Sequence, residues 1–137
     1  MARELINKPE DKLQTSICNY IALQYPKVVF FSIPNGLDIT SSYVRFIAKV
    51  TGKKAGVPDL FIAQPKFLVQ GDFEEFKYAG LFIEVKTAEH KYLNIKKGVV
   101  SDDQILMIDR LNKSGYLAVV CWGFDEAKII IDAYLKK

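Results

Sequence analysis

The run Gly80-Leu81-Phe82-Ile83-Glu84-Val85-Lys86 constrains this chain more than any other. It is apolar enough to sit at the centre of a sheet, yet it carries a carboxylate and an ammonium. Side chains alternate across a strand, so Glu84 and Lys86 share one face while Ile83 and Val85 take the other. Charges in a largely buried strand cost free energy unless mutual pairing or a bound cation compensates. Two readings stand at this point: a salt bridge on an edge strand, or a functional site.

A second strand, 59–63, opens on an acid, Asp59, behind Pro58, a residue that marks a strand's first position or an edge. An antiparallel pairing of 59–63 with 80–86 that sets Asp59 opposite Lys86 also sets Asp59 diagonal to Glu84, all on one face. That register is an assumption; a slip of one residue turns Asp59 away from the other two. Two carboxylates converging with a lysine suit phosphodiester hydrolysis. Mg²⁺ or Mn²⁺ takes hard oxygen ligands, polarises a phosphoryl oxygen and acidifies water. Lys86 beside it orients or deprotonates that water, or stabilises charge on the phosphate. His90, the single histidine, falls in a polar stretch and reads as a surface residue, so no Ser-His or Cys-His pair competes.

The remaining pattern places these strands in an α/β chain. Pro9, Glu10 and Asp11 suit a helix start, followed by Leu13, Ile17, Tyr20, Ile21 and Leu23 at helical spacing and a stop before Pro26. Residues 28–33 read as a buried strand ending at the turn signal Pro34-Asn35-Gly36. Tyr43, Phe46, Ile47 and Val50 give a second amphipathic helix closed near Gly52. Residues 65–79 separate the two site strands, with some strand character at 67–69, and 87–100 read as an exposed, lysine-rich loop. A helix from Ser101 to Gly115, a strand over 116–122 and a helix over 125–135 complete the order α-β-α-β-β-α-β-α, a mixed sheet covered by helices.

With 137 residues and half of them hydrophobic, the chain has one domain's worth of core, expected over 1–137. Its net charge of +3 is too mild to argue for nucleic acid by itself. Cys18 and Cys121, far apart among apolar residues, read as buried thiols and not as zinc ligands. The N-terminal stretch lacks a signal peptide's apolar core, and no apolar run reaches membrane-spanning length, so a soluble cytoplasmic protein is expected.

Pro58-Asp59 followed by Glu84-Val85-Lys86 resembles the signature of the PD-(D/E)xK nucleases. More narrowly, Lys54-Ala55-Gly56-Val57-Pro58-Asp59-Leu60, the strand 80–86, Ser101-Asp102-Asp103-Gln104 and Gly115-Tyr116 resemble the virus-type replication-repair nuclease domain, VRR-NUC, from about Glu10 to Leu135. The resemblance implies a restriction-endonuclease-like PD-(D/E)xK core with a mixed sheet flanked by helices. It also implies a Mg²⁺- or Mn²⁺-dependent DNA endonuclease of bacterial or phage type. Asp59, Glu84 and the Val85 carbonyl would hold the metal, with Glu10 holding metal or its water. Asp59, Glu84 and Lys86 would be catalytic, with Gln104 near the site. Stand-alone members resemble homodimers that cut four-way junctions, which makes branched DNA and a second copy the expected partners. The stretch between Lys86 and Ser101 departs from the pattern in length and lysine content.

Several positions carry a second reading. Ser101-x-x-Gln104 is also a capping box, and Glu10 also suits a helix dipole. Lys53, Lys54, Lys96 and Lys97 are solvated surface or phosphate contacts; Lys53 and Lys54 precede Asp59 most closely. Asn35, in its turn signal, is either a plain turn residue or a DNA contact. At the level of the whole chain, a non-catalytic DNA-binding module of the same fold is the alternative to the enzyme.

Overall fold

The computed structural model describes residues 8–34 and 41–136. Helix α1 (Pro9–Gln24) begins on a proline, whose fixed φ and missing N–H suit a first turn, with Glu10 and Asp11 at the positive end of the dipole. Its buried stripe is Ile17 and Ile21, flanked by Leu13 and Tyr20. Leu23, expected on that stripe, is 78% exposed, because two residues beyond Ile21 lies the far side of a 3.6-residue turn. Then come β1 (Phe30–Ser32), α2 (Ser42–Val50), β2 (Leu60–Ile62), β3 (Lys66–Gln70), β4 (Phe73–Tyr78) and β5 (Leu81–Lys86). A single 3₁₀ turn (Lys91–Leu93), α3 (Asp102–Lys113), β6 (Leu117–Trp122) and α4 (Gly123–Leu135) complete the order.

The main sheet runs β1-β2-β5-β6, antiparallel at the first two pairings and parallel between β5 and β6. A parallel pair needs a crossover, which α3 provides. The segment between the two site strands is more ordered than expected, since β3 and β4 form a separate antiparallel hairpin. Lys66 Nζ anchors that hairpin by donating to the Ala133 and Tyr134 carbonyls at 3.0 Å each.

Alternation sorts the residues of the sheet. Leu60, Ile62, Leu81, Ile83, Val85 and Cys121 are buried against Ile17 and Ile21 of α1 and Ala127, Ile131 and Tyr134 of α4. Each fully buried aliphatic side chain contributes about 1.5–3 kcal/mol of transfer free energy. The opposite face carries Phe61 stacked on Phe82 with ring centroids 4.4 Å apart, Tyr116 against both, and then Glu84, which meets Gln104 of α3, and Lys86. One face is therefore a closed core, and the other changes from aromatic to charged along its length.

Three sequence expectations are corrected. Residues 28–33 are not a buried strand, since β1 is the sheet's edge and Phe31 is half exposed, one side covering Phe61 at 5.5 Å. Helix α2 is present and capped by Ser41, but it buries none of its residues, and Tyr43, Phe46 and Val50 stand exposed. Third, Leu60 pairs with Ile83, so the register runs Asp59 opposite Glu84 and not opposite Lys86. The difference is an even number of residues, which keeps Asp59, Glu84 and Lys86 on one face. The thiols are both free, Cys121 buried and Cys18 half-buried. Among the described residues no helix is long and apolar enough to cross a membrane.

Helices α1 and α4 are joined through Asp132. Its Oδ1 accepts from the Tyr20 hydroxyl at 2.6 Å and the Tyr25 hydroxyl at 2.5 Å, and its Oδ2 pairs with Lys128 and Lys136. The two tyrosine hydroxyls, helped by Lys128, hold its carboxyl well below the ordinary aspartate range. A depressed carboxyl stabilises the fold above its unfolded pKa, and the contribution is lost as pH falls towards the folded value. Asp132→Asn is thus expected to lower the urea midpoint at pH 7, with the gap from the parent chain narrowing progressively below about pH 4. Urea titrations of both proteins across that range check it.

Candidate active site

The end of β5 meets the start of β2 at a point where the ladder changes character. Residues 81, 83 and 85 of an alternating strand turn both backbone groups towards β2, whose next facing position after Leu60 is Pro58. Proline has no N–H, so the Val85 carbonyl receives no ladder bond from its partner position. The Val85 N–H is taken by a side chain instead, donating to Asp59 Oδ2 at 2.8 Å. Pro58, itself buried, thus frees a carbonyl and leaves the aspartate to complete the pairing. Asp59 is held from its other side as well, because the Ile33 N–H donates to its carbonyl at 2.7 Å.

Glu84 projects from the same end of the sheet and is only 2% exposed. Its Oε1 accepts from Gln104 Nε2 at 2.8 Å and lies 3.5 Å from Lys86 Nζ. That ion pair is longer than a charge-assisted hydrogen bond of about 2.7–2.9 Å. Gln104 forms the capping box that its spacing suggested and also reaches Glu84. Its Oε1 accepts from the Ser101 N–H at 2.9 Å while Ser101 Oγ accepts from the Gln104 N–H, a complete capping box. The cap fixes the amide rotamer, and the fixed amide presents its NH₂ to Glu84.

The loop carrying Asp59 is locked onto the same helix by Gly56. This residue has φ +81°, and a Cβ there would lie 2.3 Å from the Asp103 carbonyl oxygen. Only glycine allows so close a backbone approach in that conformation. Asp59 and Gln104, distant in sequence, are therefore set by one contact between a loop and the first turn of α3. The sequence displayed Gly56 as part of a motif but gave no sign of what it touches.

The electrostatics of the cluster are unbalanced. Burial first, then the Asp59 charge, push the Glu84 carboxyl up strongly, and Lys86 only partly opposes this. Burial also raises Asp59 against the lowering effect of the Val85 N–H. Glu10, at the start of α1, is raised by desolvation and by the charge of Asp59. All three carboxyl groups lie in the field of the Lys86 ammonium, and Lys8 adds to it only at Glu10. Glu84 Oε2 is, moreover, a buried side-chain oxygen with no donor facing it among the described residues, a costly arrangement for a carboxylate, and a proton shared with the Asp59 carboxyl relieves it in the metal-free protein.

These residues fit a hard divalent cation. Among the described residues no three acidic, His or Cys side chains converge into an all-side-chain cage. Mg²⁺ needs no such cage, binding through one or two carboxylates and retaining several waters. Asp59, Glu84 through its Oε2 oxygen, and the Val85 carbonyl make a donor set of that kind. Glu10 stands near enough to contribute charge.

The basic residues divide. Lys53 and Lys54 are exposed and line a hollow of about 510 Å³ with Ile33, Pro34, Ala48 and Val57, directly before Pro58 and Asp59. Lys97 stands over the Trp122 ring at 4.8 Å. Asn35 lies outside the described residues. His90 is exposed, as expected, and its Nδ1 accepts from the Leu93 N–H to cap the 3₁₀ turn. The surrounding stretch 87–100 is not the plain loop expected. His90 bridges to Ile95, Thr87 Oγ1 donates to the Lys96 carbonyl at 2.9 Å, and Trp122 Nε1 donates to the Gly98 carbonyl at 2.9 Å.

Comparison with known proteins agrees with this geometry. The model of the VRR-NUC domain matches residues 4–125. A solved structure described as a VRR_NUC domain protein is 29% identical, with a TM-score of 0.66 over 95% of this chain and 90% of that one. No curated protein sequence matches. The mixed sheet flanked by helices is accordingly the restriction-endonuclease-like fold, and the function is of the nuclease type. The chain belongs to the VRR-NUC family.

Proposed function

We propose that the chain is a Mg²⁺- or Mn²⁺-dependent endonuclease that hydrolyses DNA phosphodiesters, with Asp59, Glu84 and the Val85 carbonyl holding the cation and Lys86 beside the reacting phosphate. The observation that carries this reading is the buried, half-satisfied Glu84 carboxylate facing Asp59. A bound divalent cation supplies a Lewis acid at the phosphoryl oxygen and acidifies the attacking water. Lys86 Nζ donates hydrogen bonds to that water and to the phosphate oxygen on which charge develops, an effect strongest in a dry site. Gln104 holds Glu84 Oε1 so that its other oxygen keeps one direction. Glu10 adds negative charge at the site's rim and accepts from water there. A non-catalytic DNA-binding module gains nothing from burying a carboxylate against another.

Lys53, Lys54 and Lys97 are proposed to contact phosphates, and Asn35 to lie near the strand being cut. A four-way junction is the proposed substrate and a homodimer the working form, since a two-fold enzyme offers equivalent sites to the junction's symmetry-related strands. The exposed apolar side chains of α2 and of the β3–β4 hairpin supply surface for self-association. Sedimentation should find a dimer bound to junction DNA; a monomer both free and bound contradicts this part.

Cutting of a labelled four-way junction with Mn²⁺ should be lost, by about 10³-fold or more, in Lys86→Ala and Asp59→Asn. Binding of the junction without cutting by the parent chain overturns the enzyme. Glu84→Gln should also abolish cutting while leaving the metal-free fold as stable as the parent or more stable, because it removes a carboxyl that the fold holds at pH 7 only at the cost of taking up a proton or burying an ill-compensated charge. A fall in its melting temperature at pH 7 would favour the plain salt bridge.

A raised carboxyl also sets the pH dependence. Between the unfolded glutamate pKa of about 4.3 and the higher folded value, the native state binds the extra proton, so metal-free stability falls as pH rises. Cation binding must expel that proton. Apparent Mn²⁺ affinity is thus expected to increase with pH through this window, with proton release detected in calorimetry across buffers of different ionisation enthalpy. A pH-independent affinity contradicts it.

A further inference from the structure

Lys86 is 11% exposed, an unusual condition for a lysine at the end of a strand. What covers it is the segment Lys96–Gly98. A Cβ on Gly98 would meet Lys86 Cβ and Cδ at 3.1 Å each, so the backbone of this segment lies directly against the lysine stem. Two anchors hold it there. The Gly98 N–H donates to the Thr87 carbonyl at 2.9 Å, while Thr87 Oγ1 donates back to the Lys96 carbonyl. From the neighbouring strand, Trp122 Nε1 donates to the Gly98 carbonyl at 2.9 Å. Trp122 pairs with Lys86 across β5 and β6, so its ring rises on the same face of the sheet, next to the lysine. Lys97 lies over that ring, its cation closing the outer side.

We propose that Lys96–Gly98 is a strap that positions Lys86, with Gly98 and Trp122 as the positioning residues. The proposal rests on the reading of Lys86 given above. A lysine stem has four rotatable bonds, and a free one would sample many placements of Nζ. Pressed between the sheet and the strap, the stem keeps Nζ beside Glu84 before any substrate arrives. Gly98 keeps this contact close, since a Cβ there would stand 3.1 Å from Lys86 Cβ and Cδ and the lysine stem would have to give by a few tenths of an ångström. Trp122 is required for its N–H, which ties the strap at the carbonyl of the residue in contact.

Full-length Gly98→Ala and Trp122→Phe are compared with the parent chain and with Lys86→Ala, using a labelled four-way junction and saturating Mn²⁺. Both positioning variants are expected to lose about 10- to 100-fold in kcat, with KM within about twofold of the parent and Mn²⁺ affinity unchanged. Trp122→Phe keeps an aromatic surface for Lys97 and removes only the donor, so it decides the matter if Gly98→Ala melts early. Parent-like kcat in Trp122→Phe, or a loss entirely in KM or in Mn²⁺ affinity, overturns the strap. If the parent cuts, Lys86→Ala does not and the positioning variants match the parent, the strap alone fails. If the parent does not cut, or Lys86→Ala cuts as well as the parent, the reading of Lys86 fails and the strap with it.

Discussion

The structure is organised around a carboxylate in a place where carboxylates are expensive. Glu84 sits in the central strand at 2% exposure, facing Asp59 across an antiparallel ladder, with one oxygen bound and the other facing no donor among the described residues. Moving such a group out of water costs several kcal/mol even after relaxation. The Lys86 ammonium at 3.5 Å, too far for a charge-assisted hydrogen bond, returns only part of that. What remains is electrostatic demand directed at one point, which the proposed divalent cation would meet.

Several features of the fold serve to hold that demand in place. Pro58 denies the ladder one donor and leaves the Val85 carbonyl facing the cluster, while the Val85 N–H fixes Asp59. Gly56 lets the loop in front of Asp59 touch the backbone of Asp103, and the Ser101 cap turns Gln104 onto Glu84. The aliphatic face of the sheet, closed by α1 and α4, is the rigid support behind these contacts. A site built on strand ends and a capped helix keeps its geometry better than one built on loops.

Much of this was legible in the sequence, for reasons that can be named. Glu84 and Lys86 stood out because charge violates the pattern of a buried strand, and Pro58-Asp59 because a proline and an acid begin an otherwise apolar run. Alternation within each strand could be read, but the register between them, parity included, was assumed, since pairing depends on where neighbouring turns end, and the true alignment sets Asp59 opposite Glu84. Ser101-x-x-Gln104 signalled a capping box and the family resemblance set Gln104 near the site, and one side chain both caps the helix and meets Glu84 because its amide has two ends. Gly98 and Trp122 gave no signal, since their contacts with Lys86 and with each other arise only when a polar segment folds back over the sheet. The hydrophobic spacing of α2 was visible, but periodicity does not say whether a partner surface covers the helix, and none of its residues is buried.

The central claim is tested most directly by anomalous diffraction from crystals soaked in Mn²⁺. A single strong peak in coordination range of Asp59, the Glu84 Oε2 oxygen and the Val85 carbonyl is the expected result, and Glu84→Gln should remove it. No peak there at saturating Mn²⁺, or an ion bound elsewhere while this cluster keeps a proton, would contradict the account.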